Sequence, residues 1–98
     1  MQAIFDATCT TGCHSGRNPS GGLDLSASAS YRALVSVAST CPDRRLLVKP
    51  GEPEASLLYQ KVTGVGACGG SQMPVGRPPL GAAQLATIAA WICGGASP

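Results

Sequence analysis

Glycine and proline punctuate this 98-residue chain so often that only a few windows remain for regular structure; 13 residues are Gly and 8 are Pro. A glycine weakens a helix or strand interior through backbone entropy, and a proline removes a backbone donor, so together they mark turns. The densest stretch, Gly64 to Leu80, holds five glycines and three prolines and shows no apolar periodicity. So long a segment without its own secondary structure is usually functional or wrapped around something. Asn18-Pro19-Ser20-Gly21-Gly22 and Pro50-Gly51-Glu52-Pro53 read as further turn clusters.

Four short helices fit between these breaks. The first runs from Gln2 to about Thr11, with Ile4 and Phe5 as its apolar patch. The second covers Ser28 to Val37, where Tyr31, Leu34 and Val35 recur at helical spacing. The third runs from Pro53, a suitable first-turn proline, to about Thr63; its apolar face is Leu57, Leu58 and Val62, and Gly64 stops it. The fourth spans Ala82 to Ile92, with Leu85, Ile88, Ala89 and Ile92 on one side and Gly94-Gly95 at its end. No alternating strand pattern and no internal repeat is present. The expected fold is all-α, one domain over residues 1–98, with long Gly/Pro-rich loops.

A chain of this length builds a core of marginal stability, so a staple or a bound group is expected to help. Phe5, Tyr31, Tyr59 and Trp91 are the whole aromatic set, and a buried planar cofactor would supply the apolar area they do not. Seven basic against five acidic residues give +2 with no run of like charge, so nucleic acid is not an expected partner. The longest apolar-rich segment, Leu85 to Cys93, falls short of the roughly 18 residues a membrane span needs. The N-terminus lacks the basic-then-apolar layout of a secretory leader; for an exported protein, the leader would have been removed or would lie in a longer parent chain.

Five cysteines, Cys9, Cys13, Cys41, Cys68 and Cys93, point to an oxidising compartment or to thiols that hold something. The run Cys9-Thr10-Thr11-Gly12-Cys13-His14 carries the chemistry. Covalent haem attachment needs two thiols that reach two vinyl groups of one macrocycle and an adjacent neutral imidazole for the iron. The common signature has two residues between the cysteines; here there are three. On a helix that spacing still leaves both thiols on one face, about a turn apart. The bland alternative is a Cys9–Cys13 disulfide or packed thiols, with His14 on the surface. Zinc usually takes two spaced ligand pairs, whereas the other cysteines are isolated singles.

With one histidine in the chain, bis-histidine ligation is impossible. Met1 is terminal and precedes Cys9 on the same helix. Met73 lies in the Gly/Pro-rich loop, in Ser71-Gln72-Met73-Pro74-Val75-Gly76, where Pro74 stiffens the backbone. His14 and Met73 are therefore the expected axial pair.

The order of an apolar N-terminal helix, a Cys…Cys-His motif, a Met-Pro loop and a final helix bearing Trp91 resembles a class I c-type cytochrome. More narrowly it is similar to the cytochrome c-like domains of planctomycete and myxobacterial proteins. The likeness runs through Ile4-Phe5, Gly22-Leu23-Asp24-Leu25, Val48-Lys49-Pro50-Gly51-Glu52-Pro53-Glu54-Ala55-Ser56-Leu57-Leu58-Tyr59, Met73-Pro74 and Ile88-Ala89-Ala90-Trp91-Ile92. It implies a small cytochrome c fold around one covalent haem c, with Phe5 packed near Ile88, Trp91 and Ile92. It also implies electron transfer with redox-protein partners rather than catalysis, in the bacterial periplasm or outside the cell. The three-residue spacer, a CxxxCH variant, is the departure from the pattern and bears on the thioether attachment.

Cys41 and Cys68 lie in loops on either side of the third helix. A bridge between them would pin the Met73 loop and stabilise by roughly 3–4 kcal/mol in the chain-entropy picture; the resemblance points the same way, and two unpaired thiols are the alternative. Cys93 is then left over, either as a small hydrophobe or as the site of a covalent dimer or other attachment. An arrangement with Cys9 paired to Cys93 and only Cys13 bonded to haem also stays open. Arg32, Arg44, Arg45 and Lys49 are candidates to meet the haem propionates, and Trp91 is a candidate pocket contact. Two other functions compete with electron transfer. One is a five-coordinate haem sensor or peroxidase-like domain; the other is a haem-free, disulfide-stapled secreted domain.

Overall fold

A computed structural model describes residues 1–10, 13–15, 20–76 and 78–97. Its radius of gyration, 12.1 Å, is close to the ~13 Å expected of one compact body of this length. The architecture is helical, and the extended pairing among the described residues is confined to isolated bridges at Val35–Val48 and Ala38–Leu46. No helix is long and apolar enough to cross a membrane among the described residues.

Helix α1 (Gln2–Ile4) runs directly into a π-helical segment, Phe5–Cys9. Helix α2 (Ser30–Leu34), α3 (Leu57–Thr63) and α4 (Ala82–Cys93) follow, with 3₁₀ turns at Ser20–Gly22 and Pro53–Ala55. The first expected helix thus forms with a wider register over half its length, and its Thr11 end lies outside the described residues. Asn18 and Pro19 of the expected turn cluster also lie outside them.

Two other expected helices come out shorter. The second was expected over Ser28 to Val37 and ends at Leu34, because Val35 turns extended and bridges Val48. Its expected face is divided: Leu34 is fully buried, while Tyr31 is exposed. The third breaks at Ser56, whose extended backbone separates the Pro53–Ala55 turn from α3. Ser56 is buried, and its Oγ donates to the Glu52 carbonyl at 2.9 Å and accepts the Lys49 N–H at 2.8 Å. This serine therefore folds the Pro50–Pro53 turn back onto the helix start. The first two N–H groups of α3, on Leu57 and Leu58, donate to the carbonyls of Leu46 and Leu47, which satisfies donors a helix start leaves orphaned. Gly64 stops α3 in the left-handed conformation at φ 77°.

Leu57, Leu58 and Val62 of α3 are buried as their spacing predicts, and so are Ile88 and Ile92 of α4. With Phe5, Leu25, Leu34, Val48 and Leu80 they form the core. Phe5 meets Trp91 edge-to-face, with ring centres 6.5 Å apart, so the two ends of the chain are locked together. The Trp91 indole N–H donates to the Ser97 carbonyl at 2.7 Å, which folds the tail over the end of α4.

The segment 36–48 forms a loose hairpin turned at Cys41–Arg44, and Cys41 is bridged to Cys68 across 27 residues of sequence. The expected disulfide is present. Replacing both partners, Cys41→Ser with Cys68→Ser, frees that loop in the unfolded chain and should lower stability by about 3–4 kcal/mol. Urea unfolding of the double variant against the parent measures this, and an unchanged midpoint would contradict it.

Candidate functional site

One large cavity, about 770 Å³, opens between the N-terminal helical stretch, α2, α3 and the Met73 loop. Its size lies within the roughly 300–1,000 Å³ usual for small-molecule and cofactor pockets. Leu23, Leu25, Leu34, Val37, Leu57, Leu58 and Val62 make most of the wall, with hydroxyls at Thr8, Ser20, Ser39 and Thr40. Cys9, Cys13, His14 and Met73 all line it. Met73, distant in sequence from the other three, is thus brought to the same cavity as they are.

The N-terminal stretch sets the first three. In the Phe5–Cys9 segment the Thr10 N–H donates to the Phe5 carbonyl, five residues back, at 3.0 Å. The same separation recurs across the motif, where the His14 N–H donates to the Cys9 carbonyl at 3.1 Å. A two-residue spacer would set the histidine four residues after the first cysteine, the α-helical separation. The three-residue spacer sets it five on, the separation spanned by the His14-to-Cys9 hydrogen bond. π-type turns inside helices are frequent at functional sites.

His14 is then gripped from a second segment. Its carbonyl accepts the Leu25 N–H at 2.7 Å, and the Cys13 carbonyl accepts the Ser20 N–H at 2.7 Å. The imidazole Nδ1 lies 3.1 Å from the Leu23 carbonyl. A carbonyl only accepts, so this contact assigns the proton to Nδ1 and leaves the lone pair on Nε2. A backbone carbonyl that fixes the tautomer is the usual support of a metal-ligating histidine. Leu25 is buried, and Asp24 accepts the N–H and hydroxyl of Ser26 at 3.0 and 2.7 Å, which holds the Leu23–Leu25 strip in shape.

Met73 reaches the cavity from the Gly/Pro-rich loop and packs against the core. Its N–H donates to the Lys61 carbonyl at 2.9 Å, and the Gln72 side chain donates to the Val62 carbonyl at 3.0 Å. The loop is therefore hung on α3. Among the described residues no three or more of His, Cys, Asp and Glu cluster as a cage for a bare ion; Cys9, Cys13, His14 and Met73 border an apolar space.

The other candidate contacts lie elsewhere. Arg45 pairs with Asp43 at 2.9 Å and donates to Gln60 at 2.9 Å and to the Gly66 carbonyl at 2.6 Å, tying the hairpin to the start of the Gly-rich loop. Hydrogen bonds from Arg45 hold the Asp43 carboxyl below its ordinary pKa. Lys49 pairs with Glu52, and Trp91 packs on Phe5. Arg32, Arg44, Arg45, Lys49 and Trp91 are not among the residues lining the cavity. Cys93 is exposed at the end of α4. What sequence reading missed is Lys61, which does line the cavity, and the Leu23–Leu25 strip as the holder of His14. The spacing of Lys61 on the face of Leu57 and Leu58 was the available signal.

No protein-family model, curated protein or solved structure matches this chain.

The Asp24 carboxyl sits below its ordinary pKa because it accepts, first, the Ser26 backbone N–H and then the Ser26 hydroxyl. A carboxyl depressed in the folded state adds stability that is present above its unfolded pKa, about 4, and is lost as pH falls through the folded value. Asp24→Asn should therefore be less stable than the parent near neutrality, and the gap should close on acidification. Thermal melts of both across that range test it; a gap independent of pH would contradict it.

Proposed function

We propose that this chain is an electron-transfer module of the cytochrome c kind. It would hold one haem c in the cavity by thioether bonds from Cys9 and Cys13, with His14 and Met73 as the two iron ligands. The observation that carries this reading is that those four side chains all border one apolar cavity. The residues fit the group in three respects: the cavity has the volume of a cofactor site, its walls are aliphatic, and the Leu23 carbonyl leaves His14 Nε2 as the ligating nitrogen.

When bound, haem supplies a one-electron ferrous/ferric couple. The chain supplies the rest. His14 is oriented by Leu23 and Leu25, so the imidazole has little freedom to turn. The leucine and valine walls would shield a bound haem from water, and a thioether as second ligand would raise its potential. Were His14 and Met73 both to hold the iron, no position would be left for a substrate, which favours a carrier over an enzyme. The alternative of a five-coordinate sensor or peroxidase requires Met73 to stand away from the cavity that it lines. A haem-free stapled domain accounts for Cys41–Cys68 and leaves the cavity without a purpose. Redox proteins are the proposed partners, and an intrachain disulfide fits the periplasm or the cell exterior.

Expression in a host with haem-attachment machinery should give coloured protein that keeps a haem stain on a denaturing gel, with one haem added in intact mass. Colourless protein of unmodified mass would sink the proposal. Met73→Leu should keep the covalent haem and lose the weak near-infrared sulfur-to-iron band; a band that survives in this variant rules out Met73 as the ligand.

A further inference from the structure

Met73 is presented by a loop with no secondary structure of its own, so its position has to be fixed from outside. One residue of α3 does so at two places. The Lys61 carbonyl accepts the Met73 N–H at 2.9 Å. The Lys61 ammonium donates to the Gly69 carbonyl at 2.7 Å and to the Ser71 carbonyl at 3.4 Å, on the approach to Met73. Its side chain also borders the cavity, the only Lys or Arg to do so among the described residues. The loop leaves room for this contact: a Cβ at Gly70 would stand 2.7 Å from Lys61 Nζ. Any side chain there would press the ammonium off its carbonyls, and Gly70 at φ 76° is also in the left-handed conformation that favours glycine.

We propose that Lys61 is the positioning residue for the Met73 thioether. Its main chain fixes the Met73 backbone, and its ammonium gathers the carbonyls that precede it, so the sulfur is held at the cavity before any ligand is bound. The functional consequence rests on the haem reading: Lys61 would govern how completely Met73 occupies the iron. A hydrogen bond from a charged donor slows local opening by an amount that amide exchange can read.

The test is Lys61→Met in the full chain, which keeps the aliphatic stem and removes the donor. The Met73 amide should exchange about tenfold faster, while the α4 amides of Ile88 and Ile92 stay as they were. Lys61→Arg, which keeps a charged donor, should restore most of the protection. In haem-loaded protein, Lys61→Met should also weaken the sulfur-to-iron band and lower the reduction potential with the haem still attached. Should Lys61→Met lose the helical circular dichroism, Lys61→Gln takes its place and is read in the same way. Unchanged Met73 exchange overturns the proposal, as does an intact band and potential in a haem-loaded variant. Colourless parent protein with accelerated exchange in the variant removes the haem reading and supports the Lys61 clamp on Met73.

Discussion

The rest of this structure is arranged around a cavity of about 770 Å³ walled by aliphatic side chains. The space is open to solvent, so when it is empty water stands against its aliphatic wall. Such a wet wall gives up burial worth about 25 cal/mol per Å² of apolar surface. A chain with four aromatic side chains has little to offset that loss. An apolar occupant turns the same wall into core, so the proposed haem is better regarded as a missing part of the core than as an addition to a finished fold.

The Met73 side of the cavity is defined by ties rather than by secondary structure. The Gly/Pro-rich loop is joined to the hairpin by Cys41–Cys68 and by Arg45 on Gly66, and to α3 by Gln72 on Val62 and Lys61 on Gly69. Two of these depend on bare glycine. A Cβ at Gly64 would meet the Gln72 side chain at 3.0 Å, and one at Gly70 would meet Lys61. Glycine content that prevents regular structure in this loop thus also lets side chains of α3 and the loop close on main-chain carbonyls. The covalent bridge limits how far the loop strays, and the polar contacts set where Met73 rests.

Local features were legible in the sequence. The buried faces of α3 and α4 follow from spacing, the stop at Gly64 from glycine chemistry, and the candidate donors Cys9, Cys13, His14 and Met73 from their motifs. What was not legible depends on contacts between distant segments. Val35 leaves α2 because Val48 offers it a backbone partner, and helical periodicity carries no record of that. Arg45 looked like a free cation suited to a propionate; its engagement by Asp43, Gln60 and Gly66 exists only once three segments meet. The Leu23 carbonyl that orients His14 has no side-chain signature at all, because any residue at that position would present the same oxygen.

The unusual spacer now has a physical reading. One residue more than the common signature would, in a strict α-helix, rotate His14 by about 100° relative to Cys9 and carry it off the face that Cys9 occupies. In this structure the His14 N–H bonds back to the Cys9 carbonyl, five residues away. Cys9, Cys13 and His14 all line one cavity. The Leu25 N–H on the His14 carbonyl and the Ser20 N–H on the Cys13 carbonyl hold Cys13 and His14 from a second segment. The position of His14 at the cavity therefore depends on the strip that clasps it, and not on the spacing from Cys9 alone.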